Sequence, residues 1–135
     1  MRNENGYVLL IVLVVVCAMT LTIISLTNRT TQASFLAAKR AAAVQAFSLA
    51  ENAASEGYWR LSVQPTYRTS QERHWGRAWY RFSIIDPTPL TADDDMDLEV
   101  LGEGFSGTQR RRVRLVLTRL DMNSDFVIDS WQEDN

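Results

Sequence analysis

The amino-terminal part of the chain lacks charge: no acidic or basic residue lies between Glu4 and Arg29. It also lacks helix-breaking residues, since no glycine or proline lies between Gly6 and Gly57. As a helix, the uncharged residues 7–27 would be roughly 31 Å long, about the thickness of a bilayer's hydrocarbon core. We therefore predict a helix that spans a membrane over residues 7–27 and continues beyond it into water.

Cysteine is nearly absent as well. The single cysteine, Cys17, lies inside the apolar stretch, so the rest of the chain must fold without disulfides. Basic residues are not in excess either, because 14 lysines and arginines face 16 aspartates and glutamates. A nucleic-acid-binding domain normally carries a positive excess, so we expect no nucleic-acid partner.

The sequence also lacks the motifs of catalysis. His74 is the only histidine and has no cysteine near it, so neither a nucleophile and base pair nor a zinc ligand set is present. No serine or threonine lies in a nucleophile elbow or a phosphate-binding glycine loop. We expect that the protein is not an enzyme and that it has no cofactor, calcium being the one candidate considered below.

The concentrated basic run comprises Arg110, Arg111, Arg112 and Arg114. Side chains alternate between the two faces of a strand, so these guanidinium groups would lie on both faces. We favour solvated edge charges or subunit contacts for this run. A phosphate-binding site is the alternative.

Other amino-terminal signals fit this sequence less well. A cleaved secretory signal needs a shorter apolar stretch and a small-x-small exit, and no such exit follows Ala18. A lipoprotein signal would acylate Cys17, but Val16 before it is β-branched where a small residue is needed. A plain signal anchor fits the length and makes no use of Gly6, so it stays as an alternative.

Gly6 separates a short polar leader from an aromatic residue and an apolar stretch. The leader is Met1-Arg2-Asn3-Glu4-Asn5-Gly6, and the stretch begins Tyr7-Val8-Leu9-Leu10-Ile11-Val12-Leu13. This junction resembles the amino terminus of the type IV pilin superfamily, in which a membrane-embedded peptidase cuts after the glycine and the new amine is methylated. By that resemblance, the prepilin peptidase cuts between Gly6 and Tyr7. Glycine suits the cut because it lets the peptidase approach the backbone closely.

The resemblance implies that the apolar helix is first an anchor in the inner membrane and later packs against other pilins or pseudopilins. The implied packing residues are Leu9, Leu10, Ile11, Val12, Leu13, Val16, Thr20 and Ile24. Small and hydroxyl residues such as Ala18, Thr22 and Ser25 would let helices approach closely. The carboxyl-terminal head would be extracytoplasmic and would end in a cell-surface or periplasmic filament.

Ile11 departs from the commonest form of that superfamily. The fifth residue of the mature chain is usually a glutamate that neutralises the terminal amine of a neighbouring subunit. A buried amine without a partner is costly, so this chain is poorly suited to repeat along a filament shaft. The resemblance is closest to minor pilins and pseudopilins that lack the glutamate and lie at or near a filament tip.

Beyond the membrane stretch, an alanine-rich segment predicts that the helix continues to about residue 61. Spacings of three and four residues place one apolar face against a sheet: Val44, Phe47, Ala50, Ala54, Tyr58 and Leu61. The outward residues are then Lys39, Arg40, Gln45, Glu51, Asn52 and Glu56. A coiled-coil stalk is the alternative, but strict heptads are not sustained.

After Pro65, the polar residues 66–77 predict a connecting loop. Alternating apolar residues then predict strands over residues 78–85, 97–103 and 111–120, with a turn at 104–107. The expected fold is α+β, a long amino-terminal helix packed on a small antiparallel sheet, as in pilins. Its parts are the leader 1–6, the transmembrane helix 7–27, its extracytoplasmic continuation 28–62 and a β head 63–135.

The carboxyl-terminal segment holds the one candidate metal site. Asp121, Asn123, Asp125 and Asp129 fall at the first, third, fifth and ninth places of an EF-hand-like calcium loop. The loop's glycine is replaced by Phe126 and its last glutamate by Gln132. We therefore favour a last strand over residues 126–131, with calcium binding as the alternative.

These observations predict a structural minor pilin or pseudopilin that takes part in the assembly of a type IV pilus or a type II secretion-type filament, at initiation or at the tip. The alternative is a membrane-anchored extracytoplasmic binding module that is neither processed nor polymerised. The two differ in whether the leader is removed and whether the helix leaves the membrane.

Overall fold

The computed structural model describes residues 4–86, 97–119 and 125–134. Its elements are helix α1 (Glu4–Val63) and strands β1 (Gln71–Trp75), β2 (Ala78–Ile85), β3 (Asp97–Ser106), β4 (Gln109–Thr118) and β5 (Val127–Asp134). The strands form one antiparallel sheet in the order β1-β2-β3-β4-β5. The long amino-terminal helix packs on this sheet, so the α+β fold expected from the sequence is confirmed.

The chain forms two compact units, Met1–Ala38 and Lys39–Asn135. In the first unit α1 is long and apolar enough to cross a membrane, by its length and composition. The hydroxyls of Thr20, Thr22 and Thr27 donate to backbone carbonyls one turn earlier, at 2.7, 2.7 and 2.9 Å. These hydroxyls are satisfied within the helix and can enter an apolar environment at little cost.

In the second unit, alanines of α1 meet glycines of β3. A Cβ atom placed on Gly102 would meet the carbonyl oxygen of Ala50 and lie 2.6 Å from the amide nitrogen of Ala54. A Cβ atom on Gly104 would meet the carbonyl oxygen of Ala46 and lie 2.5 Å from the amide nitrogen of Ala50. The helix and strand backbones therefore approach so closely that neither strand position has room for a side chain.

Apolar side chains from the three central strands complete the core around this contact. Residues of β2, β3 and β4 alternate between buried and less buried positions, as one face of a sheet requires. The largest fully buried side chains are Phe82, Leu61, Leu98, Leu115, Leu117, Val100 and Val113. The predicted inward face of these three strands is confirmed.

The predicted helix face is confirmed only in part. Ala50, Ala54 and Leu61 are fully buried, and Phe47 and Tyr58 are partly buried against the core. Val44 was predicted to share this face, but its side chain is 69% exposed. The contact with β3 instead depends on Ala46, because only a small residue fits where the two backbones touch.

The predicted loop over residues 66–77 is wrong, because it contains β1. Four of the five β1 residues are exposed, so the strand has no alternating apolar pattern that a sequence could reveal. Backbone pairing with β2 holds it in the sheet, with Gln71 opposite Phe82 and Trp75 opposite Ala78. Gly76, at φ 60°, makes the short turn between the two strands.

The predicted turn over residues 104–107 begins too early. β3 continues through Ser106, and the turn is made by Gly107 and Thr108. Gly107 has φ 59°, a left-handed conformation that favours glycine. Gly104 serves a different purpose, because its missing side chain makes room for the helix.

We expect Gly102→Ala to destabilise the second unit by about 2 to 3 kcal/mol, because the added methyl group would overlap the backbone of α1. Gly107→Ala is the matched control: it strains a left-handed residue at a cost of about 1 kcal/mol but meets no atom within 4 Å. Urea unfolding of the detergent-solubilised chain measures both. A larger loss for Gly107→Ala would contradict the close helix–strand contact.

Candidate functional site

The residues predicted to be processed or to pack in a filament all lie on α1. Tyr7 is 68% exposed, and Leu9 and Leu13 are 72% and 63% exposed. The consecutive residues 9–13 cover every side of the helix, since a turn takes 3.6 residues. Residues 7–26 therefore present an apolar surface all round, which either lipid or other apolar helices can cover.

The face of the sheet opposite α1, the outer face, carries two cross-strand rows. Residues directly opposite on paired strands point to the same side of a sheet. The aromatic row consists of His74, Trp79, Phe105 and Arg110. The charge row consists of Glu72, Arg81, Glu103, Arg112 and Asp134. The charge row crosses all five strands with alternating sign.

Glu103 is the centre of the charge row, and its side chain is only 3% exposed. Arg81 donates to its Oε2 from both Nε and Nη2. Arg110 donates from Nη2 to Oε1, and Arg112 donates from Nε to Oε1 at 2.8 Å. One buried carboxylate thus holds three guanidinium groups, which we call the arginine triad.

The electrostatic surroundings keep Glu103 ionised. Burial by itself would raise the pKa of its carboxyl group. Hydrogen bonds from Arg110 and Arg81, together with their positive charges, outweigh burial and hold the pKa of Glu103 below its ordinary value. At neutral pH, one negative charge therefore lies among three positive charges.

The aromatic row stiffens the same region of the outer face. Trp79 and Phe105 stack with ring centroids 3.7 Å apart and planes 10° apart, and His74 stacks on Trp79 at 5.7 Å. The Arg110 guanidinium lies 5.2 Å from the centroid of the Phe105 ring. Because Arg110 contacts both Phe105 and Glu103, it joins the two rows and is held from two sides.

The basic run on β4 is therefore paired within the sheet. Arg111 lies 3.2 Å from Glu133, and Arg114 lies 3.3 Å from Asp134 and 3.6 Å from Glu99. Register confirms that the run alternates between faces. The prediction of edge charges is wrong, because β4 lies between β3 and β5.

A second polar cluster lies where α1 meets the inner side of β1 and β2. Tyr80 donates to Glu56 Oε2 at 2.7 Å, while Arg73 and Arg60 donate to Oε1 at 3.0 and 3.2 Å. Burial raises the pKa of Glu56, but hydrogen bonds from Tyr80 and Arg60 bring it below its ordinary value. Glu56 was predicted to face outward, but it ties the helix to the sheet.

The candidate calcium ligands are placed only in part. Asp121 and Asn123 lie outside the described residues, whereas Asp125 is exposed and Asp129 lies within β5. Across residues 4–86, 97–119 and 125–134, no group of three or more histidine, cysteine, aspartate or glutamate side chains is placed to hold a metal ion. The last strand predicted over residues 126–131 is confirmed, but it runs from Val127 to Asp134.

Comparison with protein-family models, curated proteins and solved structures gave no match to this chain. Its function must therefore be argued from its own residues. Two features are available for this: the apolar first unit of α1, and the arginine triad around Glu103 on the outer face.

Sequence reasoning did not single out Arg81 or Glu103. Arg81 lies 22 positions from Glu103, and Arg112 lies nine positions from it. Only the strand register brings them side by side. The one signal in the sequence was the basic run on β4. It contains Arg110 and Arg112 but reveals neither Arg81 nor the carboxylate of Glu103.

We expect the stability of the protein to fall as the pH drops through the acid range. Glu103 and Glu56 have lowered pKa values in the folded state and a value near 4.5 when unfolded, so the unfolded state binds more protons. Their contribution is complete above about pH 5.5 and is lost as the pH falls through the folded-state pKa values.

Glu103→Gln should lower stability at neutral pH and flatten this pH dependence, because the variant has no proton to gain at that site. Glu51→Gln on α1 is the control, since Glu51 forms no ion pair among the described residues. Thermal unfolding midpoints over a pH series measure the slopes. Equal slopes for wild type and Glu103→Gln would contradict the role of Glu103.

Proposed function

We propose that this protein is a membrane-anchored assembly subunit of the type IV pilin kind, a minor pilin or pseudopilin. The observation that carries the proposal is α1, whose first part is uncharged and exposed and whose second part packs on an antiparallel sheet. A helix that is apolar on all sides suits lipid and also suits a bundle of similar helices. Such a helix can act as an anchor and later as filament packing.

The lack of carboxylates in the apolar part of α1 supports a role in starting a type IV pilus or type II secretion-type filament, or a location at its tip. No acidic residue lies between Gly6 and Glu51, so the helix has nothing to neutralise the terminal amine of a neighbour. Among packed apolar helices an unpaired amine is costly. A subunit that terminates or starts a filament avoids part of this cost.

The same proposal includes processing and location. The leader would be removed between Gly6 and Tyr7, and the new amine would be methylated. Before assembly, the subunit would be anchored in the inner membrane with its second unit on the extracytoplasmic side. It would then leave the membrane and join a filament. The polar leader directly before an apolar, uncharged helix supports this order of events.

A second candidate function is a binding module that stays in the membrane unprocessed. The arginine triad favours it, because a partly exposed basic cluster on a rigid sheet face is suited to contact a partner. The two candidates differ in the amino terminus of the native protein.

We expect the native protein to begin at a methylated Tyr7, without the leader of residues 1–6. Gly6→Val should keep the leader, because a β-branched side chain prevents close approach of the peptidase to the backbone. Asn5→Ala, the neighbouring change, should still be processed. Intact-mass measurement of protein from the native membrane decides between them, and a wild-type chain that begins at Met1 or lacks α1 would contradict the proposal.

Ile11→Glu should raise the copy number of the subunit along filaments, because it supplies the carboxylate that a neighbouring amine lacks. Ile11→Gln is the matched control, since it has the same length as glutamate without the charge. Quantitative mass spectrometry of sheared filaments measures the copy number of each variant. If Ile11→Glu leaves copy number and position unchanged, the argument for a tip location fails.

A further inference from the structure

We propose that a cleft at the start of β4, lined in part by Arg110 and Arg112 of the arginine triad, binds a carboxylate of an acidic peptide segment on a partner protein. The cleft has a volume of about 240 Å³ and is lined by Arg110, Arg111, Arg112 and Asp134. This inference goes beyond the assembly function, because it depends on neither the leader nor the apolar helix.

The first argument is the number of hydrogen-bond donors that the triad leaves unused. Arg81, Arg110 and Arg112 share the single carboxylate of Glu103, while Asp134 pairs with Arg114. Each guanidinium has five N–H donors. The hydrogen bonds of the triad within the described residues are the four to Glu103, so most of its donors remain available to another acceptor.

The second argument is accessibility combined with rigidity. The side chains of Arg81, Arg110 and Arg112 are 43%, 44% and 38% exposed, whereas Glu103 is 3% exposed. Glu103 fixes the guanidinium groups from below, and the Phe105 ring supports Arg110. A ligand would therefore meet donors that are already ordered, and less side-chain entropy is lost on binding.

The third argument selects the chemistry of the ligand. The fork of an arginine matches the two oxygens of a carboxylate. The triad already binds the carboxylate of Glu103, so its geometry suits that group. A phosphate matches the same fork, and inorganic phosphate therefore enters the test as the competing anion.

The size of the cleft selects a partner protein over a small molecule. Pockets that bury a small ligand usually have volumes of about 300 to 1,000 Å³. A shallow site of about 240 Å³ at the end of the sheet is better suited to one acidic side chain presented by another polypeptide. Such contacts typically set the orientation and rate of association between protein surfaces.

The test uses the full chain in detergent and a capped tetra-aspartate peptide as the probe, with a capped tetra-asparagine peptide as the uncharged comparison. We expect the wild type to bind the aspartate peptide and not the asparagine peptide. Changing Arg110→Gln together with Arg112→Gln should weaken binding about tenfold or more, because charge-assisted hydrogen bonds are lost. Titration calorimetry at low salt gives the affinities.

Arg77→Gln is the control for loss of positive charge elsewhere, because it removes one such charge from the β1–β2 turn and does not line the cleft. It should leave the affinity unchanged. Arg112→Lys is a milder variant in case the double change unfolds the sheet, and it should weaken binding because lysine keeps the charge but not the fork. Circular dichroism confirms that each variant is folded.

Three results would overturn the inference: no binding of the aspartate peptide by the wild type, equal weakening by Arg77→Gln, or displacement of the peptide by inorganic phosphate at the same concentration or lower. The last result would assign the cleft to phosphate. None of these measurements depends on processing or filament assembly, so failure here is distinguishable from failure of the proposed function.

Discussion

The contact between α1 and β3 is the constraint on which the second unit depends. Gly102 and Gly104 lie two residues apart on one face of the strand, and alanines one turn apart on the helix lie against them. Because side chains alternate along a strand, the same register turns Glu103 and Phe105 to the opposite face. The register that brings the two backbones together thus also places Glu103 and Phe105 in the two outer rows.

That placement explains how a run of four arginines is accommodated on one strand. Arginines next to one another repel, yet carboxylates on β3 and β5 lie beside them and neutralise part of the charge. Burial of Glu103 beneath the triad keeps the cluster ordered and leaves guanidinium donors on its exposed side. A structural ion cluster and a candidate binding site are therefore the same group of side chains.

The first unit follows a different physical rule. Its residues 7–26 are apolar on every side of α1, and the hydroxyls of Thr20, Thr22 and Thr27 are satisfied by the helix's own carbonyls. Such a segment needs no specific partner, because any apolar surroundings can cover its surface. The second unit, by contrast, depends on specific contacts such as the hydrogen bond from Tyr80 to Glu56.

The sequence by itself determined the long helix, the inward faces of β2, β3 and β4 and the last strand, because hydrophobic period and uncharged length are local properties. Only the tertiary structure decided that residues 71–75 form an edge strand, since backbone pairing holds β1 without an apolar pattern. Only the strand register joined Arg81, Glu103, Arg110 and Arg112, because charges distant in sequence become neighbours only when the strands are aligned. For the same reason, Gly102 and Gly104 show their purpose only once the helix lies against them.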